Sequence, residues 1–383
     1  MYDFFVPSVN FFGRDSVKVV GERCQLLGGK KALIVTDSFL SGLAEGPVKK
    51  VENYLKESGV ESVIYDGVEP NPKDTNVMEG LRIYREEKCD IIVTVGGGSP
   101  HDCGKGIGIA ATHEGDLYDY AGIEMLKNPL PPIVAVNTTA GTASEVTRHA
   151  VITNTKTKVK YVIVSWRNTP LVSINDPLLM LEKPPALTAA TGMDALTHAV
   201  EAYITLGANP VTDAVAIQAI KLIADNLRQV VANGKNIEAR ENMAHASLLS
   251  GMAFNNAGLG YVHAMAHQLG GLYDMPHGVA NAILLPHVAR YNLISNPEKY
   301  AKMAEFLGEN IQGLSILEAA DKAIDALVRL SKDVGIPSGL KEMGVKEEDF
   351  AYMAKMAMKD GNAGCNPITG TEEDIINLFK AAM

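Results

Sequence analysis

The chain has 383 residues, 46% of them hydrophobic and 21% charged, with a formal net charge of −10. That length exceeds what one core usually organises, so two domains are expected. Lys and Arg are interleaved with Asp and Glu rather than gathered into a basic patch, which argues against a nucleic-acid-binding surface.

The opening MYDFFVPSVNFFG is apolar but lacks a basic leader and a small-residue cleavage site, so it reads as a first strand rather than a signal peptide. KKALIVTD (30–37), ESVIYDGV (61–68), CDIIVTVGGG (89–98) and PPIVAVNTT (131–139) are short Val/Ile-rich runs, and helical spacing fills 44–59 and 75–88 between them. Continuous rather than alternating apolar runs indicate strands covered on both faces, hence a parallel, doubly wound sheet. KVKYVIVS and LVSIND suggest further strands and a hairpin. After Pro184-Pro185 the chain turns Ala/Leu/Met-rich at 3.6-residue spacing, as in DAVAIQAIKLIADNLRQVVANG and ILEAADKAIDALVRLSKDVG. The expected organisation is an α/β dinucleotide-binding domain with a Rossmann-like parallel sheet over 1–185, followed by an all-α metal-binding domain over 186–383.

Cys24, Cys89, Cys103 and Cys365 are scattered and form no CxxC, which fits a reducing cytoplasm better than a disulfide scaffold. No apolar run approaches the ~20 residues of a membrane helix, so no membrane partner is expected.

Ligands of open parallel sheets sit beyond the carboxyl ends of the strands. GGGSPHDCGKG (96–106) follows a strand there and opens a helix, a setting in which freed backbone amides bind pyrophosphate. Strict motifs fail: a P-loop needs Gly where Ser99 stands, and the looser Gly106-x-Gly108-x-x-Ala111 match falls inside the helix. A turn that serves only packing remains the alternative. TTAGTASEVT (138–147) is a second loop rich in small hydroxyls. Asp37, closing its strand, suits either a ribose diol, with NAD favoured over NADP, or the N-cap of the following segment.

Asp194 and His198 lie four apart on one helix face, and His263 and His267 repeat that spacing. His277 follows a helix break at Gly270-Gly271 and Pro276, on what reads as a turn after that helix. A single buried histidine is usually a hydrogen-bonded core residue. Several together are better satisfied by a shared divalent cation, Fe(II) or Zn(II) for a nitrogen-and-oxygen ligand set. Glu201 shares the face of Asp194 and His198 and reads as an exposed or salt-bridged carboxylate. His101 and His149 border the loops, while His113, His245 and His287 read as structural. His263–His267 lacks the glutamate of HExxH, which removes a zincin-type protease.

GGGSPHDCGKG, NTTAGTASEVT, GMDALTHAVEAY, GMAFNNAGLGYVHAMAHQLGG and MPHGVANAILLPHV together resemble the iron-containing (group III) alcohol dehydrogenases, over essentially the whole chain. The resemblance implies metal ligation by Asp194, His198, His263 and His277, with His267 relaying a proton near substrate and nicotinamide. It implies dinucleotide contacts from Asp37, Asn71, Gly97, Gly98, Ser99, Asp102, Thr138, Thr139, Thr142, Thr147, Lys160 and Leu179. Phe254 and Cys365 would line the substrate end. The implied reaction interconverts a short primary alcohol and its aldehyde with NAD(H) and Fe(II), zinc being the other metal considered. 1,3-Propanediol is the first expected substrate and methanol or another short alcohol the next. A homo-oligomer, a dimer or an assembly of dimers, is implied as well. Two rivals use similar parts: a metallohydrolase, and a dehydroquinate-synthase-like lyase that also employs NAD. The first has no need of a dinucleotide cradle. The second needs convergent Arg or Lys, and 188–206 and 254–285 contain none.

Overall fold

The computed structural model describes residues 2–383, so Met1 of the opening segment lies outside the described residues. The chain divides into two compact units, Phe4–Leu181 and Glu182–Met383, with Tyr2 and Asp3 counted in the second.

The first unit is built on nine strands: β1 Val9–Phe12, β2 Lys31–Val35, β3 Glu61–Tyr65, β4 Ile91–Gly96, β5 Gly122–Ile123, β6 Ile133–Asn137, β7 His149–Asn154, β8 Val159–Val164 and β9 Val172–Asn175. Its helices are α1 Val20–Leu26, α2 Ser38–Ser41, α3 Pro47–Glu57, α4 Asp74–Glu86 and α5 Gly98–Thr112. Six strands form one sheet in the order β1-β9-β6-β4-β2-β3, with every neighbouring pair parallel. The Val/Ile runs are continuous because both faces are covered. Ala32 and Ile34 of β2 join one core with Val48, Val51 and Leu55 of α3, while Leu33 and Val35 join the other with Val77 of α4 and Ile107 of α5.

The chain leaves β2 for β3 on one side, then returns to place β4 on the other side of β2. That reversal opens a crevice at the carboxyl ends of β2 and β4. Asp37 and the glycines from Gly96 to Gly98 stand at those ends.

Both later segments form strands as expected, but their pairing needs correction. KVKYVIVS does form a hairpin, but with His149–Asn154, antiparallel from His149↔Val164 to Asn154↔Val159. LVSIND instead supplies β9, which lies between β1 and β6 in the main sheet. Strand pairing is a long-range choice, and both partners of β9 are too distant in sequence for a local pattern to show it.

Among the described residues no strand follows Asn175. The second unit consists of α6 Pro185–Ile204, α7 Pro210–Ala232, α8 Ile237–Ala257, α9 Tyr261–Tyr273, α10 His277–Asn292, α11 Pro297–Phe306, α12 Ile316–Asp333, α13 Phe350–Ala357 and α14 Glu372–Ala381, with short 3-10 turns between some of them. Helix α6 is its axis: from Thr188 to Ile204 almost every residue is buried, and α7, α8 and α10 pack around it. A helix apolar all round belongs in a core, so the carboxylates and imidazole that α6 carries have been buried with it. Among the described residues no helix is long and apolar enough to cross a membrane.

Candidate active site

Three donors converge in the helical unit. Asp194 is contributed by α6, His263 by α9 and His277 by α10, and one ligand atom from each lies within 4.8 Å of the others. Asp194 Oδ1 stands 4.0 Å from His263 Nε2 and 3.8 Å from His277 Nε2. His277 is brought in by a close helix approach. A Cβ on the next residue, Gly278, would meet the Ala190 carbonyl oxygen at 2.2 Å, so only glycine lets α10 begin against α6. The sequence predicts a break at Gly270-Gly271 and a turn at His277. In fact α9 runs through both glycines to Tyr273 and ends at Asp274, whose φ of 50 is left-handed. His277 is the first residue of α10, directly after Pro276.

Glu201 also departs from its expectation. It is only 2% exposed and neither stands at the surface nor pairs with Lys or Arg. Its Oε1 accepts from the backbone N–H of Val262 in the first turn of α9, at 2.9 Å, and its Oε2 meets His263 Nδ1 at 2.5 Å. Burial pushes the Glu201 carboxyl up to about 8. His263 is held well below the usual imidazole range, by burial first and then by His198, His277 and His267 around it. With Nδ1 donating to Glu201, the Nε2 lone pair faces Asp194 and His277. This is the arrangement by which a carboxylate orients a ligating histidine.

Asn281, one turn beyond His277, reaches the same point. Its Nδ2 lies 2.7 Å from Asp194 Oδ1, 3.0 Å from His263 Nε2 and 3.1 Å from His277 Nε2, and its Oδ1 is buried without a partner. An amide has two hydrogens, so it cannot serve three acceptors at once. Lone pairs in excess of protons, from one carboxylate and two imidazoles at a buried point, suit a divalent cation. The residues present fit the metal that the sequence motifs imply.

His198 is buried beside this trio rather than within it. Its ring stacks between Phe254, 4.2 Å away, and His263, 4.6 Å away. His267 lies outside the trio too. Its ring stacks on His277 at 5.5 Å, and its Nδ1 meets Asp360 Oδ2 at 2.7 Å. Cys365 lies against the turn before α9, where a Cβ on Gly258 would stand 3.0 Å from its Sγ. Glu201, Asn281 and Asp360 were not identified from sequence. Only Glu201 left a usable signal there, through its spacing from Asp194 and His198.

In the α/β unit the two polar loops meet at the start of α5. Cβ atoms built on Gly97 and Gly98 would lie 3.0 Å from Thr139 Oγ1 and 3.1 Å from Thr142 Cγ2, so the bare glycine backbone faces two threonines. Helix α5 has no side-chain cap, and the buried Thr138 hydroxyl has no partner. Unfilled amides at the N-terminus of a long helix, rimmed by hydroxyls, fit a pyrophosphate.

Other expected contacts divide into two kinds. Asn71, with a left-handed φ of 56, is joined to Lys160 by a 2.8 Å hydrogen bond. Asp37 caps α2 by accepting from the Leu40 N–H at 2.9 Å. Ser99 lies in the first turn of α5. Asp102, Thr147 and Leu179 face inward. Asp102 accepts from Ser144 Oγ and the Val151 N–H, Thr147 Oγ1 donates to the Ser144 carbonyl, and Leu179 belongs to the apolar core. Asp102 and Thr147 tie α5 and the turn around Ser144 together, and Leu179 packs in the core.

Residues 7–177 match the family model described as "Iron-containing alcohol dehydrogenase", and residues 188–383 match "Fe-containing alcohol dehydrogenase family, C-terminal". The chain belongs to the iron-containing alcohol dehydrogenases. It is 74% identical to 1,3-propanediol dehydrogenase of Klebsiella pneumoniae over 382 residues, covering 100% of this chain and 99% of that one. It is 50% identical to the NAD-dependent methanol dehydrogenase of Bacillus methanolicus, with 100% of both chains covered. A crystal structure of 1,3-propanediol oxidoreductase superposes with a TM-score of 0.99, at 74% identity and full coverage of both chains. The protein is therefore an oxidoreductase of the alcohol dehydrogenase type, acting on small-molecule alcohols.

Proposed function

We propose that the protein interconverts 1,3-propanediol and 3-hydroxypropanal with NAD(H), using Fe(II) held by Asp194, His263 and His277 with His198 completing the set. The observation that carries this reading is the 74% identity to 1,3-propanediol dehydrogenase along the whole chain. The convergent donor trio supports it. Bound there, the metal supplies Lewis-acid polarisation of the alcohol oxygen. Gly97, Gly98, Thr138, Thr139 and Thr142 would hold the pyrophosphate of NAD and Asp37 its ribose, and NAD would supply the hydride acceptor. Ser99, Asn71 and Lys160 extend that contact, while Asp102, Thr147 and Leu179 shape it from behind. His267 takes the alcohol proton, and the largely apolar surroundings, with Phe254 and Cys365 at the substrate end, keep competing water away. A metallohydrolase or lyase reading leaves the glycine and threonine loops, or the lack of basic residues near the donors, without a purpose.

The test is NADH formation from 1,3-propanediol, ethanol, butanol and methanol by anaerobically iron-loaded protein, with and without a chelator. Chelator-sensitive turnover with the highest kcat/KM on 1,3-propanediol is expected. The same result with methanol first would move the assignment to the methanol branch, and no turnover with any of them would overturn it.

The four thiols, none in a disulfide, agree with a cytoplasmic protein. Exposed Val9 and Phe12 on the sheet-edge strand β1 agree with a homo-oligomer, which light scattering would measure.

Asp37 offers a sharper check on the cofactor. Glycine at a helix N-cap costs only a few tenths of a kcal/mol, so Asp37→Gly is expected to fold normally. Two like charges near contact repel by about 1 kcal/mol in water-like surroundings, and a 2′-phosphate carries more than one. The NADP-to-NAD ratio of kcat/KM is expected to rise roughly tenfold or more. An unchanged ratio would remove Asp37 from the ribose.

A further inference from the structure

We propose that Asp360 is a positioning residue for proton transfer, holding His267 as the tautomer whose Nε2 lone pair receives the alcohol proton. The proposal rests on the dehydrogenase reading and adds to it the residue that sets the state of the base.

His267 Nδ1 and Asp360 Oδ2 are 2.7 Å apart, with side chains 21% and 16% exposed. The other carboxylate oxygen, Oδ1, accepts from the Asn362 N–H at 2.9 Å. Both oxygens of Asp360 therefore act as acceptors. Burial opposes its ionisation, but the neighbouring His267 ring and the hydrogen bonds from His267 and Asn362 more than offset this and hold the carboxyl below its usual range. An ionised carboxylate can only accept, so Nδ1 is the nitrogen that carries the hydrogen and Nε2 is the one with the lone pair.

The segment carrying Asp360 is well anchored. Asn366 exchanges two 2.9 Å amide hydrogen bonds with Asn292 and accepts from the Tyr261 N–H, while the Cys365 carbonyl accepts from the Leu206 N–H at 2.9 Å. On the other side, the His267 ring is stacked on His277 and edge-on to His263, with centroids 5.5 and 6.4 Å apart. The imidazole is thus clamped beside the ligand trio, yet none of its nitrogens belongs to that trio. A fourth histidine at the trio's edge would add another ligand unless its ring were held. Asp360 holds it.

In the step itself the alcohol O–H bond breaks and its electron pair stays on oxygen. The proton forms a new bond to His267 Nε2, the oxygen pair closes the C=O bond of the aldehyde, and the C–H bond would break with its pair passing as hydride to bound NAD. The imidazolium keeps its Nδ1–H on Asp360, whose charge offsets the one acquired.

The test uses full-length, iron-loaded protein. Asp360→Asn presents an amide N–H to Nδ1, which favours the opposite tautomer with Nε2 protonated. Its kcat is expected to fall about 10²-fold or more, the range of a general base, with metal content and KM for NAD unchanged. In a His267→Ala background the same substitution should add nothing. Asp360→Glu keeps an acceptor and should recover most of the lost kcat. Nitrogen NMR of histidine-labelled resting protein reads the tautomer without turnover: Nδ1–H in the wild type, lost in Asp360→Asn. Wild-type kcat in Asp360→Asn, an equal loss in the absence of His267, or an Nε2–H tautomer in the wild type would each overturn the proposal. A wild-type protein with the Nδ1–H tautomer that oxidises no alcohol would instead sink the dehydrogenase reading and leave the Asp360–His267 pairing standing.

Discussion

His263→Ala is expected to cost most of the turnover while leaving a folded protein. The substitution deletes one of three convergent donors and also strands the Glu201 carboxyl, whose Oε2 is committed to His263 Nδ1. Lewis-acid stabilisation is worth several kcal/mol, and each 1.36 kcal/mol is tenfold in rate. The loss in kcat/KM should accordingly be on the order of 10³-fold. Glu201→Ala separates orientation from ligation. It leaves all three donors in place but frees His263 to rotate, and outer partners of this kind are worth 10–100-fold in metal affinity. Elemental analysis after dialysis at fixed free Fe(II) should rank wild type above Glu201→Ala and Glu201→Ala above His263→Ala, with circular dichroism unchanged. Wild-type iron content in His263→Ala would remove that residue from the ligand set. A Glu201→Ala variant that binds iron as tightly as wild type would reduce the carboxylate to a cap on α9, through its bond to the Val262 N–H.

How far these features could be read in the sequence depended on their range. The strands of the parallel sheet were legible because burial on both faces forces unbroken Val/Ile runs, and the helices of the second unit because α7 and α12 keep a 3.6-residue period. The pairing of β9 was not, since its neighbours β1 and β6 lie far off in sequence. Asp194, His198, His263 and His267 were visible as two spacings of four, and His277 as a third histidine close behind. Their partners were hidden for different reasons. Glu201 is 62 residues from His263 and Asp360 is 93 from His267, and an isolated Asp or Glu is common on any surface. Asn281 sits four residues past His277, but an amide in an apolar helix carries no ligand signature of its own. Gly270-Gly271 was misread as a break because glycine is a poor helix former. Packing against α10 and α13 keeps α9 intact through it.

Glu145→Gln is expected to stabilise the protein above neutral pH and to do little below pH 5. Glu145 lies in the turn between Thr142 and Thr147, fully buried beside the Asn137 and Asn175 side chains. Burial raises it to about 7 from an ordinary value of 4.5. The sign follows directly: between those two values the folded protein keeps a proton that the unfolded chain has released. Stability is therefore full below about 4.5 and is lost as pH rises through about 7. At 1.36 kcal/mol per tenfold change, the loss amounts to about 3 kcal/mol. Glutamine has nearly the same shape and no charge to desolvate, so it escapes the penalty. The buried ammonium of Lys105 keeps its hydrogen bonds without Glu145, because Ser144 O and Oγ, Thr147 Oγ1 and His149 O all lie within 3.2 Å of its Nζ. Urea midpoints should thus separate at pH 8, with the variant higher, and coincide at pH 5. An equal displacement at both values would show that packing rather than ionisation sets the effect. The same titration bears on function, since this turn carries hydroxyls assigned to the dinucleotide. In the wild type, KM for NAD should rise as pH passes 7 and Glu145 is forced to ionise in place, and in Glu145→Gln that rise should be absent.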